Sequence, residues 1–213
     1  MKFLFLLASL LLSIICFSQN SNYLVKVNGD TVRGDIKLKN KIFYVNGNTP
    51  VELNADEVKI IKSNNYKGNT VVHCNLQLYT DNLDELEIDW IKKEFTDTVM
   101  ILDEIYSTPK INLYFVQNVF KTNFYFYKTP TDTFPVQLVI RFYLQGGLAN
   151  YTNDRANYRG DKSKLNVAED KGYVNQLYTI MGDCKKIPET MWEILSYRDY
   201  SLKQLIKKYN KCK

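Results

Sequence analysis

The chain has 213 residues and a formal net charge of +5, from 28 Lys and Arg against 23 Asp and Glu. Its single histidine, His73, excludes multi-histidine metal sites and any Ser-His-Asp triad built on another histidine. No Gly-x-Ser-x-Gly elbow, phosphate-binding Gly-rich loop or dinucleotide fingerprint occurs, and the basic residues make no stripe interleaved with aromatics of the kind that binds nucleic acid.

Residues 1–18 read as a secretory signal peptide. Lys2 is a minimal positive start, Phe3 to Ile15 is an uncharged run, and Cys16 and Ser18 are small residues before a cut that leaves Gln19 first. The run is too short to span a bilayer as a helix. Cys16 would be a lipidation site, but the bulky Ile15 before it does not suit one. Cleavage removes Lys2 and lowers the net charge from +5 to +4. Contact with a membrane is expected only during export or peripherally.

Residues 19–148 read as a β-rich region. Tyr23 to Val27 is a strand, Asn28-Gly29-Asp30 a tight turn, and Thr31 to Ile36 the returning strand. Short strands are expected at Lys41 to Val45, Val51 to Leu53, Val58 to Lys62 and Val71 to Tyr79. Phe95 to Ile105 reads as a strand with Val99, Ile101 and Ile105 on one face. Three aromatic strands follow, at Ile111 to Val116, Asn123 to Tyr127 and Val136 to Tyr143.

Residues 149–170 are polar and read as an exposed loop or linker, and 171–213 as a helical tail. Tyr173, Val174, Leu177, Tyr178 and Met181 fall at helical spacing before Gly182. Pro188 suits the first turn of a second helix, and Ser201-Leu202-Lys203-Gln204 reads as a capping box opening the last. The fold class is α+β: an N-terminal antiparallel β-rich meander or open barrel, then a helical segment.

Cys184 and Cys212 flank the last two helices and are natural disulfide partners in an oxidising compartment, leaving Cys74 as an odd thiol in a strand. His73 adjoins Cys74, but neighbours on a strand point to opposite faces, so a dyad is not expected. Asp84, Glu85, Glu87 and Asp89 could supply a carboxylate pair, and Asp81, Asp84 and Glu85 a calcium site, but solvated acids explain them better. Tyr114, Tyr125, Tyr127 and Tyr143 are candidates for a stacking platform for sugar or peptide; sheet core is the competing account. Charge is uneven: residues 81–104 hold nine acids against two lysines, and residues 185–213 eight bases against three acids. This polarity could steer partners or reflect two solvated faces.

Two stretches carry a resemblance. Tyr23-Leu24-Val25-Lys26-Val27-Asn28-Gly29-Asp30-Thr31-Val32-Arg33-Gly34-Asp35-Ile36, and Asp183-Cys184 with Tyr209-Asn210-Lys211-Cys212 framing two helices, resemble the two ends of a group of uncharacterised exported proteins of Bacteroidota. The Ser18-Gln19 junction also fits that phylum. The resemblance implies location and architecture and lends no activity. Asp30-Thr31-Val32 and Asp97-Thr98-Val99 are similar to that phylum's O-glycosylation pattern, which implies Thr31 and Thr98 as acceptors.

The expectation is an exported protein of the cell envelope, periplasmic, outer-membrane-associated or secreted. It would be a non-enzymatic binding or structural module without cofactor or metal, whose partner is an envelope protein or surface glycan. The alternative is a carboxylate-dependent hydrolase acting on glycan or peptide.

Overall fold

The computed structural model describes residues 22–79, 95–118, 121–145 and 166–212. The signal segment with Cys16, the acids from Asp81 to Asp89, and most of the expected linker lie outside them. The fold is α+β, with the strands first and the helices last. It divides into two compact units, one ending at Val72 and one beginning at His73.

In the first unit, β1 (Tyr23–Lys26) pairs antiparallel with β2 (Thr31–Arg33) through the expected turn. Gly29 takes a positive φ of 95° there, and Asn28 Oδ1 accepts from the Asp30 N–H at 3.0 Å. The returning run does not continue to Ile36 as one strand. It divides at Gly34, and β3 (Asp35–Lys39) joins β4 (Ile42–Asn46) and β5 (Val51–Asn54) in a separate three-stranded sheet. A short 3₁₀ turn (Ala55–Glu57) leads to β6 (Val58–Lys62), which pairs with the other side of β1. Leu24, Ile36, Phe43 and Ile61 are fully buried.

The division has a steric cause. Around Gly34 the backbone runs so close to Asn46 that an added Cβ would lie 2.5 Å from the Asn46 carbonyl oxygen. Gly47 is pressed against the Arg33 carbonyl in the same way. Gly34→Ala is therefore expected to cost about 3 kcal/mol through forced backbone shifts. Urea unfolding checks this, and an unchanged midpoint would show that the approach is not tight.

β7 (Thr70–Gln77) starts in the first unit, where Thr70 pairs with Ile60, and ends in the second. The second unit continues with β8 (Phe95–Tyr106), β9 (Asn112–Gln117), β10 (Asn123–Lys128) and the short β11 (Val136–Gln137), in the open antiparallel order β11-β10-β9-β8-β7. The face expected for β8 is corrected at Ile105. Leu102 is its fully buried residue, while Val99, Ile101 and Ile105 are half-buried. The register with β9 shifts between Glu104 and Tyr106, so Ile105 is an extra residue in a bulge, and the alternation breaks there.

The run Val136 to Tyr143 is also two strands, β11 and β12 (Arg141–Gln145). Between them the backbone bonds sideways. Leu138 N–H donates to the Tyr125 carbonyl at 2.8 Å, Val139 N–H to Gln176 Oε1 at 2.8 Å, and Tyr173 N–H to the Val139 carbonyl at 2.6 Å. A second correction concerns the linker. Its last five residues form β13 (Asn166–Asp170), paired antiparallel with β12 along all five positions. Their polarity misled because every side chain of β13 is exposed or only half-buried.

The tail forms α1 (Gly172–Met181), α2 (Glu189–Glu193) and α3 (Asp199–Tyr209). The spacing reading of α1 holds: Tyr173, Leu177 and Met181 are fully buried and Gly182 is the C-cap. Ser201 does not cap α3. The helix begins three residues earlier, with Arg198 at the N-cap, and Ser201 Oγ instead accepts from the Ser196 N–H at 3.1 Å. Leu202, Leu205 and Ile206 from α3 join Leu177 and Met181 from α1, packing with Leu113, Leu138 and Ile140 in one core.

Candidate functional site

A groove of about 520 Å³ lies in the second unit, lined by segments far apart in sequence. The β8–β9 turn supplies Pro109 and Lys110, and the loop after β10 supplies residues 129–132. Ile180 comes from α1, Tyr209 from α3, and Tyr127 from the end of β10. Both turns are braced internally. Thr108 Oγ1 donates to the Ile111 carbonyl at 2.7 Å and accepts from the Ile111 N–H at 3.1 Å. Asp132 Oδ2 accepts from the Thr129 N–H at 2.8 Å and from Thr129 Oγ1 at 2.7 Å. Such turns hold their prolines and hydroxyls in place without help from a ligand.

Lys110 ties the groove to the end of the tail. Its ammonium donates to the Cys212 carbonyl and lies 5.0 Å from the centre of the Tyr209 ring. Cys184 and Cys212 form the expected disulfide, with Cα atoms 5.8 Å apart. The bridge thus closes α2 and α3 and fixes the chain next to Tyr209. Burial, with the Asp132 carboxylate adding to it, raises the Tyr127 phenol above its ordinary pKa and keeps it a neutral donor.

The four candidate tyrosines separate. Only Tyr127 lines the groove. Tyr114 and Tyr125 are each 4% exposed, so neither offers a ring face to a ligand. Tyr114 is half of a cross-strand pair with Phe126, and Tyr125 packs edge-on against Tyr197 at 4.9 Å. Tyr143 is half-buried on β12. Helical spacing sets Tyr209 with Leu202, Leu205 and Ile206 on the apolar face of the last helix, which conceals it as a site residue. Thr129-Pro130-Thr131-Asp132 did carry a turn signature, but its meeting with Pro109 depends on tertiary structure.

Cys74 is a half-buried free thiol. Burial, and then the Asp97 carboxylate, push its pKa from 9.0 up to about 11. His73 turns to Asp97 instead, with Nε2 2.6 Å from Oδ1. The geometry builds no Cys-His pair, and the thiol stays protonated at neutral pH. Alkylation of Cys74 in the folded protein should stay slow at pH 8 and accelerate only as pH approaches about 11; a rate at pH 8 equal to that of a free thiol would contradict the burial. Because the folded pKa is the raised one, the unfolded thiol ionises first. Stability therefore falls as pH climbs from about 9 to about 11 and is unaffected by this group below that range.

Thr31 is exposed on β2 and Thr98 half-buried on β8. Among the described residues no group of three His, Cys, Asp or Glu side chains could hold a metal ion, and no helix is long and apolar enough to cross a membrane. Searches against protein-family models, curated proteins and solved structures find no match for this chain.

Proposed function

We propose that the protein is exported and serves in the cell envelope as a non-enzymatic binding module whose groove takes a surface glycan. The observation that carries this reading is the groove itself. Tyr127, Tyr209, Pro109 and the Thr129–Asp132 turn converge there from separate segments; both turns are braced by internal hydrogen bonds, and Tyr209 stands beside the disulfide corner. Aromatic faces suit the C–H faces of sugar rings, and threonine hydroxyls with a carboxylate suit their hydroxyls. The signal peptide and the likeness to exported Bacteroidota proteins support the location. The protonated Cys74 and the engagement of His73 with Asp97 support a binding role over nucleophilic catalysis.

The test is capture on a panel of immobilised envelope glycans with the wild type, Tyr127→Ala and Tyr209→Ala. At least one glycan should retain the wild type, and either substitution should weaken retention by about tenfold, the worth of one well-packed ring contact. Retention equal in all three proteins would remove the groove from the function.

A further inference from the structure

The groove opens beside a corner where lysines from three segments meet. Lys185 and Lys186 follow Cys184, Lys208 and Lys211 come from the end of α3 and the residues after it, and Lys110 comes from the β8–β9 turn. The disulfide and two hydrogen bonds bring them together. Lys186 donates to the Lys211 carbonyl, and Lys110 to the Cys212 carbonyl. Among the described residues none of these five lysines forms an ion pair, whereas Lys171 and Lys203, elsewhere in the second unit, each do. Asp183 is the one acid within residues 183–186, 208–212 and 107–110, and Asp132 of the adjoining groove accepts hydrogen bonds from Thr129.

A helix C-terminus attracts cations, and this accounts for Lys207 and Lys208 in the last turn of α3. It does not account for Lys110, Lys185 or Lys186, which stand on other segments, or for Lys211, which lies past the helix end. Four further cations without acidic partners make a field that a mobile counter-ion atmosphere covers incompletely. The segments of the corner add no strongly exposed apolar side chain to the half-buried aromatics of the groove. The strongly exposed apolar side chains of the tail are Tyr178, Ile194 and Tyr200, and none belongs to the segments that form the corner. Insertion into a lipid interface needs such side chains alongside the charge.

We propose that the groove and this corner form one surface for an acidic polysaccharide. A sugar ring sits against Tyr127 and Tyr209, and the uronate or phosphate groups of the neighbouring units meet Lys110, Lys185, Lys186 and Lys211. This rests on the glycan reading above and adds the charge class of the ligand. Lys110 joins the two parts, because it lines the groove and holds the Cys212 carbonyl at the corner.

The test is affinity electrophoresis of the whole chain through gels carrying polygalacturonate or neutral dextran, with sedimentation on phosphatidylglycerol vesicles. The wild type is compared with Lys185→Gln/Lys186→Gln/Lys211→Gln and with the charge-matched control Lys37→Gln/Lys39→Gln/Lys59→Gln. Lys37, Lys39 and Lys59 are exposed in the first unit. Polygalacturonate should retard the wild type, salt should weaken the retardation, and the corner variant should raise Kd at least about tenfold while the control changes it less than about twofold. Equal losses in both variants would reduce the effect to net charge and overturn the proposal. Dextran retention that depends on Tyr127 would keep the glycan groove and remove the acidic ligand. Retention by neither polymer would remove both. Stronger binding to vesicles than to polygalacturonate would assign the corner to a membrane surface instead.

Discussion

Replacing both Cys184 and Cys212 with serine is expected to lower stability by about 3–4 kcal/mol, from the loop-closure entropy the bridge removes from the unfolded chain. The bond spans 28 residues that contain α2 and α3. That span supplies Leu195, between the helices, and Leu202, Leu205 and Ile206 of α3 to the core, so loosening the loop reaches apolar side chains that are all but inaccessible to solvent. The effect extends to the groove, because the Cys212 carbonyl is the acceptor for Lys110 and Tyr209 lies three residues before it. Guanidinium unfolding of the wild type, with and without reductant, and of the double variant provides the measurement. The reduced wild type and the double variant should share one midpoint, well below that of the oxidised protein. Coincidence of all three midpoints would mean that the bridge carries no stability.

Tyr197→Ala is expected to cost about 3–5 kcal/mol, the range for truncating a packed aromatic. Tyr197 joins the tail to the sheet by hydrogen bonds and by its ring. Its hydroxyl accepts from the Tyr125 N–H at 3.0 Å and donates to the Leu138 carbonyl at 2.7 Å. Its ring packs edge-on against Tyr79, Tyr125 and Tyr173 at 5.9, 4.9 and 5.1 Å. Burial holds its phenol well above the ordinary pKa, so it remains a donor throughout the working range. Tyr197→Phe keeps the ring and removes the hydroxyl, which leaves the Tyr125 N–H of β10 and the Leu138 carbonyl between β11 and β12 without this partner. That variant should lose about 1–3 kcal/mol. Thermal unfolding of the pair separates packing from hydrogen bonding. Equal stability of Tyr197→Phe and the wild type would show that water replaces the hydroxyl.

What could be read in the sequence is what depends on local period or on covalent arithmetic. The spacing of Tyr173, Leu177 and Met181 gave α1, and the positions of Cys184 and Cys212 around two helices gave the disulfide. The Asn28-Gly29 turn gave the first hairpin. Misreadings occurred where a distant segment sets the outcome. Gly34 divides a strand because Asn46 presses on it, and Leu102 is the buried residue of β8 on a strand whose alternation fails at Ile105. Gln176 reaches from α1 to accept from Val139 and to donate to the Gln137 carbonyl at 2.9 Å, filling the interruption between β11 and β12. No window containing Val136 to Tyr143 holds that information. The tyrosines divided for a similar reason. Alternation alone could not tell that Tyr125 turns into the core while Tyr127, two positions on, reaches the groove.

The protonated state of Cys74 also bears on how the disulfide is kept. Cys74, Cys184 and Cys212 allow three single-bond pairings, and exchange among them runs through thiolates. With β7 beside β8, desolvation and the Asp97 carboxylate hold the Cys74 thiol near a pKa of about 11, so its thiolate fraction at neutral pH is very small. In the folded protein Cys74 is therefore a poor attacker of the Cys184–Cys212 bond. The same alkylation profile that reports the burial of Cys74 reports this protection.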